Sequence, residues 1–145
     1  MYKHILIPID GSNLSAMAVE QGLALAKQVG ARVTFMMVIE PFHILTADSD
    51  QLGSTRDVYE AHAHSVAAGH LASAAEKARA LGVDCVTLQV DANEAYRAII
   101  DTAGAKGCDL IAMASHGRRG IDALLLGSVT TKVLTHSKVP VLVYR

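Results

Sequence analysis

The stretch that decides the fold is His4-Ile5-Leu6-Ile7-Pro8-Ile9-Asp10-Gly11-Ser12-Asn13. Its first six residues form an uninterrupted apolar run, too short for a helix and without the alternation of a strand that has one wet face. It therefore reads as a strand, His4 to Ile9, covered on both sides. The next four are turn and helix-start residues. Beyond them Ala16, Val19, Leu23 and Ala26 recur at spacings of three and four, which marks one helix face, and Gly30 supplies the stop. A buried strand, a turn and an amphipathic helix make the opening of a βαβ unit.

The same alternation continues to the end of the chain. Arg32 to Ile39 reads as a second strand, and Glu40 to Thr55 as a long connection of a kind that is often functional. Arg56 to Leu81, rich in alanine, reads as a long helix. Asp84 to Val90 is a third strand, Asn93 to Lys106 a helix capped by Asn93, and Leu110 to Ala114 a fourth strand. Ser128 to His136 is the last helix and Val139 to Tyr144 the last strand. Helices between successive strands require right-handed crossovers and parallel pairing. The expectation is an α/β fold: a doubly wound, parallel five-stranded sheet with helices on both faces, in one domain over residues 1–145. Ligands of such sheets sit beyond the carboxyl ends of the strands, where the winding reverses. The loops after strands one and four are thus the places to look.

Composition narrows the function. Of 145 residues, 51% are hydrophobic and 19% charged, which suits a packed core. The net charge of -1, the 4% aromatic content and the lack of tryptophan argue against a nucleic-acid binder. Charge is nonetheless uneven: Ser115 to Arg145 holds five basic residues and one acidic, so an anion should favour that part. No apolar run is long enough for a membrane span and no signal peptide is evident. Cys85 and Cys108 read as buried thiols of a reducing cytoplasm rather than a disulfide framework. His62, His64 and His70 share one helix without a metal-binding pair spacing, and no catalytic set of acids or nucleophile and base is evident.

The segment Ala114-Ser115-His116-Gly117-Arg118-Arg119-Gly120, closing at Gly127-Ser128-Val129-Thr130-Thr131, runs from a strand end to a helix start. Its glycines let the backbone turn with amides outward, and such rows of N–H groups hold anions. Ser128 and Thr130 lie at a helix N-terminus, where free amides and the helix dipole favour phosphate. Arg118 and Arg119 add charge. An ordinary glycine turn with a serine cap explains the same residues equally well, and His116 reads either as a phosphate neighbour or as loop packing. Neither the P-loop nor the dinucleotide glycine pattern is present.

This segment resembles the universal stress proteins, whose nucleotide-binding members carry G-x2-G-x9-G-(S/T) between the fourth strand and the last helix. Gly117, nine residues and Gly127-Ser128 fit that pattern, and Ala114 stands at its first glycine. A methyl there either crowds the ribose and phosphates or does no harm, since the backbone amide is kept. The opening Ile5 to Ser12 and the ending Val139 to Val143 are similar to the family too. The resemblance implies a Rossmann-like fold of the adenine nucleotide alpha hydrolase type. It also implies a small cytoplasmic stress-response protein that binds ATP or another adenine nucleotide, with or without Mg2+, as a regulator or sensor with little or no turnover. By position, Asp10 would bond the ribose hydroxyls, and Pro8, Ile9 and Val38 would lie near the adenine. Met113 and Ala114 would border the ribose, while Gly117, Arg118, Gly127, Ser128, Val129 and Thr130 would surround the phosphates. A homodimer through the last strand, 139–144, is implied as well, along with an unidentified protein partner. A slow ATPase and a nucleotide-free dimeric interaction module are the alternatives.

Overall fold

The computed structural model describes residues 1–41, 49–117 and 126–145, with backbone alone for 49–54. The elements are β1 (His4–Pro8), α1 (Asn13–Val29), β2 (Arg32–Ile39), α2 (Ser49–Leu81), β3 (Cys85–Asp91), α3 (Ala95–Lys106), β4 (Leu110–Ala114), α4 (Ser128–His136) and β5 (Val141–Tyr144). All strand pairs are parallel. The sheet order is β3-β2-β1-β4-β5, so the winding reverses between β1 and β4 and the two edges are β3 and β5.

Alternation along each strand divides the core into two layers. Ile5, Ile7, Val33, Phe35, Leu110 and Ala112 pack with α1 and α2 through Val19, Leu23, Leu71 and Ala74. Leu6, Met36, Ile111 and Met113 pack with α3 and α4 through Ala98, Ile99 and Val133. A run of consecutive apolar residues is needed because successive side chains face opposite helix layers.

β1 is tied down at its start by polar groups. Asp109, just before β4, accepts the backbone N–H of Lys3 on Oδ2 at 2.9 Å and of His4 on Oδ1 at 3.1 Å. His4 Nε2 lies 2.7 Å from Thr34 Oγ1, both side chains buried. Burial, then the nearby Arg32 guanidinium, lowers the His4 pKa and favours the neutral ring.

Four expectations need correction. The helix before β3 begins at Ser49, inside the stretch expected to be a loop. Adding turns to an established alanine-rich helix costs little per residue, and Gly53 costs only about 1 kcal/mol. Residues 42–48 of that connection lie outside the described residues. α3 begins after Glu94 rather than at an Asn93 cap; the Glu94 backbone is extended, with no side-chain cap bond. β3 is not covered on both faces: as an edge strand it leaves Val86 57% exposed, and Cys85 is only half-buried. The last strand begins at Val141; the Pro140 carbonyl accepts Ile111 N–H at 3.0 Å, but the proline has no N–H of its own to give. Cys108 is buried as expected, and desolvation pushes its thiol up to about 11.

Candidate functional site: a crevice between β1 and β4

The carboxyl ends of β1 and β4 lie side by side at the reversal point, and specific bonds fix the turn at the end of each strand. After β1, Asp10 Oδ1 accepts Ser12 N–H at 2.9 Å, and Asp10 N–H donates to Ser15 Oγ at 3.1 Å. Gly11 has φ +83°, where a side chain would be strained. Ser12 then caps α1 by accepting Ser15 N–H at 3.1 Å. The Asp10 carboxylate is thereby fixed beside the end of the sheet.

After β4, Ser115 N–H donates to the Tyr144 carbonyl at 2.8 Å, and the Ser115 carbonyl accepts Gly127 N–H at 2.8 Å. Thr130, only 2% exposed, donates its hydroxyl proton to the Ala114 carbonyl at 2.9 Å. These bonds close the base of the 116–126 loop and seat the start of α4 directly on β4. A Cβ on Gly127 would stand 3.2 Å from the Ser115 carbonyl oxygen, so a residue without a side chain lets the two segments touch. Gly127 therefore gives α4 no cap bond of its own, and no acidic residue lies in the first turn. The first amides of α4, at Ser128, Val129 and Thr130, have no carbonyl within the helix to pair with.

The two halves meet at Gly117. A Cβ there would lie 2.7 Å from Asp10 Oδ2, so the carboxylate occupies the space a side chain would need. Three of the residues singled out from the sequence thus converge: Asp10, Gly117 and Gly127, with the N-terminus of α4 beside them. Pro8, Val38 and Met113 share the face of the sheet that carries α3 and α4, on which Val38 and Met113 join the core layer. Pro8 and Val38 are half-buried, so that face is not sealed at its carboxyl end. Ile9 faces the other way, into the α1 and α2 layer; its backbone N–H donates to Met36 O at 2.8 Å. Ser128 and Val129 are exposed at the α4 start. Arg118 lies outside the described residues.

Ala114 faces away from Met113. Its register partner on β5 is Tyr144, which packs in the α1 and α2 layer with Ala112. The alanine methyl is therefore on the opposite side of the sheet from Val38 and Met113. Desolvation raises the pKa of the Tyr144 phenol on that side. Ala114→Gly is expected to change affinity for an adenine nucleotide by less than about threefold, under 0.7 kcal/mol. Isothermal titration of the two proteins checks this; a tenfold gain for glycine would mean that the methyl does crowd the site.

Two groups carry no signal in sequence spacing. The His116 ring sets Nδ1 2.9 Å from Ser115 Oγ, while its buried Nε2 has no hydrogen-bond partner among the described residues. Such an atom is costly to leave unpaired and is a ready contact for a polar ligand. His70, on α2, lies against Gly11: a Cβ on that glycine would be 2.6 Å from His70 Nε2. His64 is engaged elsewhere, with Asp91 Oδ1 at 3.0 Å.

The model of the Universal stress protein family matches residues 1–145. The universal stress protein YxiE of Bacillus subtilis is 30% identical over 153 aligned residues, covering 100% of both chains. Universal stress protein MJ0531 of Methanocaldococcus jannaschii is 32% identical, covering 100% of this chain and 83% of its own. The solved structure of hypothetical protein MJ0577, used for structure-based assignment of its biochemical function, superposes with a TM-score of 0.82 at 26% identity, covering 99% of this chain and 95% of that one. Two more distant structures share the fold: a universal stress protein in complex with cAMP (TM-score 0.70, 23% identity, 99% and 97% covered) and one from Archaeoglobus fulgidus in complex with dAMP (0.68, 19%, 99% and 98%). With a family match from end to end and Asp10, Gly117 and Gly127 brought together where the sheet reverses, the chain belongs to the universal stress protein family.

Proposed function

We infer that the protein binds ATP or another adenine nucleotide in the crevice between β1 and β4 and works as a regulator or sensor. The observation that carries this reading is the convergence of the Asp10 carboxylate, the side-chain-free Gly117 and the α4 N-terminus, whose N-cap glycine offers no side-chain bond of its own. A carboxylate can accept from two vicinal ribose hydroxyls at once. The free amides of Ser128, Val129 and Thr130 suit phosphate oxygens, with the helix dipole adding to the attraction. Pro8, Val38 and Met113 supply the apolar face for the base. The solved relatives that hold cAMP and dAMP support an adenine ligand. A Mg2+ travelling with a triphosphate would bind chiefly through phosphate oxygens and water.

In this reading residues 1–145 act as one domain in the cytoplasm, a setting that suits the free thiols of Cys85 and Cys108. Among the described residues, no helix is long and apolar enough to cross a membrane. β5 is a sheet edge, and pairing with the same strand of a second copy would cover its unpaired backbone groups. Turnover is not needed for this role, since occupancy of the crevice is itself the signal offered to a protein partner.

The test is to denature the purified protein and identify what it releases by mass spectrometry. An adenine nucleotide is the expected result. An empty protein with no measurable affinity for millimolar ATP or AMP would overturn the reading.

A further inference from the structure

A second cleft lies on the other side of the Asp10 turn, between the start of α1 and the C-terminal half of α2. Its volume is about 80 Å3, and its polar wall consists of Gly11, Ser12, Ser15, His70, Ser73 and Lys77. His70, Ser73 and Lys77 recur at spacings of three and four, which places them on one face of α2. No carboxylate lines the cleft among the described residues. Every polar side chain in its wall can donate a hydrogen bond. Ser12 Oγ accepts Ser15 N–H, and its hydroxyl proton is left to point elsewhere.

The electrostatics favour an anion. The first turn of α1 contains no acidic residue. The Asp10 carboxylate just before it takes the Ser12 N–H on Oδ1, turns Oδ2 toward Gly117 and is not among the lining residues. Lys77 Nζ lies 3.6 Å from Glu20, but the pair is well exposed and so weak, leaving the ammonium able to turn inward. The volume is several times the roughly 10–15 Å3 that a cavity needs to hold one water, which leaves room for a small tetrahedral oxyanion.

We propose that this cleft binds a small tetrahedral oxyanion, a phosphate group held by Ser12, His70, Ser73 and Lys77. The proposal goes beyond the nucleotide reading and does not depend on it, because the cleft faces the α1 and α2 layer while the crevice opens beside Gly117.

Titrating the full chain with inorganic phosphate, and separately with glycerol phosphate, tests it by NMR of the Gly11 and Ser12 amides and the His70 ring. The contact between His70 and Gly11 makes those signals local reporters. Saturable shifts in the millimolar range or below are expected, with chloride at equal ionic strength giving none. A response to both probes assigns the site to phosphate groups at large, and a response to phosphate alone restricts it to the free ion. Ser73→Ala/Lys77→Met, which changes exposed residues, should weaken binding about tenfold, or 1.4 kcal/mol. Gly127→Ala, aimed at the crevice from the α4 side where the new Cβ meets Ser115 and His116 rather than Asp10, should leave the response intact. Shifts that never saturate, that chloride reproduces, that persist unchanged in the double variant or that vanish in Gly127→Ala would each overturn the proposal.

Discussion

Replacing Gly117 by alanine is expected to cut the affinity for an adenine nucleotide by roughly ten- to a hundredfold, while the melting temperature moves by no more than about 3 °C. The new Cβ would stand 2.7 Å from Asp10 Oδ2, closer than real contacts allow. Gly117 is not among the glycines with positive φ, so the backbone accepts alanine without strain. What yields is the end of the Asp10 side chain, and the carboxylate swings out of the position from which it would meet the ribose. Hydrogen bonds to a charged group contribute about 1.5–3 kcal/mol, which sets the expected range. Asp10→Ala should cause a similar loss, and the double variant should lose little more than either single one, because both act on one carboxylate. Titration calorimetry with AMP or ATP, paired with thermal melts, measures all three. Unchanged binding in Gly117→Ala would detach Asp10 from the ligand; a melting point more than 10 °C lower would make Gly117 a structural residue instead.

Phe35→Ala is expected to cost about 3–5 kcal/mol. Phe35 is fully buried at the centre of β2, paired in register with Ile7 on β1 and Thr87 on β3, and packed in the layer beneath α1 and α2. Helices on one side and strands on both flanks leave little freedom for the gap to collapse. Domains of this size hold about 5–15 kcal/mol in all, so one change would remove a large part of the total. The corresponding fall in melting temperature is roughly 10–15 °C. Urea unfolding monitored by circular dichroism gives the energy directly. A loss under about 1 kcal/mol would mean that the layer is loosely packed.

Much of this was legible in the residues because the signals were local. The apolar runs at β1, β2 and β4 had to be strands buried on both faces, and the glycines around Asp10 and at 117 and 127 marked the turns that form the crevice. What escaped depends on which parts of the chain meet. β3 carries an apolar pattern but lies at an edge, and the pattern alone does not say that no strand lies beyond it. The Ala114 methyl could be placed only once β4 was known to pair with β5 in the register that sets Ala114 against Tyr144. The contact of His70 with Gly11 joins a helix to a turn far away in sequence, and no spacing rule reports it. The unpartnered Nε2 of His116 results from burial, which the sequence does not show. The helix start at Ser49 was hidden by Asp48, Asp50 and Gly53, which read as loop residues when taken singly.

The central claim is that the crevice between β1 and β4 is where an adenine nucleotide sits. A crystal of the protein grown with AMP or ATP tests it most directly. The account predicts ribose hydroxyls within hydrogen-bond distance of the Asp10 carboxylate and phosphate oxygens on the amides of Ser128, Val129 and Thr130. A nucleotide found elsewhere on the surface, or a crevice filled by the chain's own side chains at saturating ligand, would contradict it.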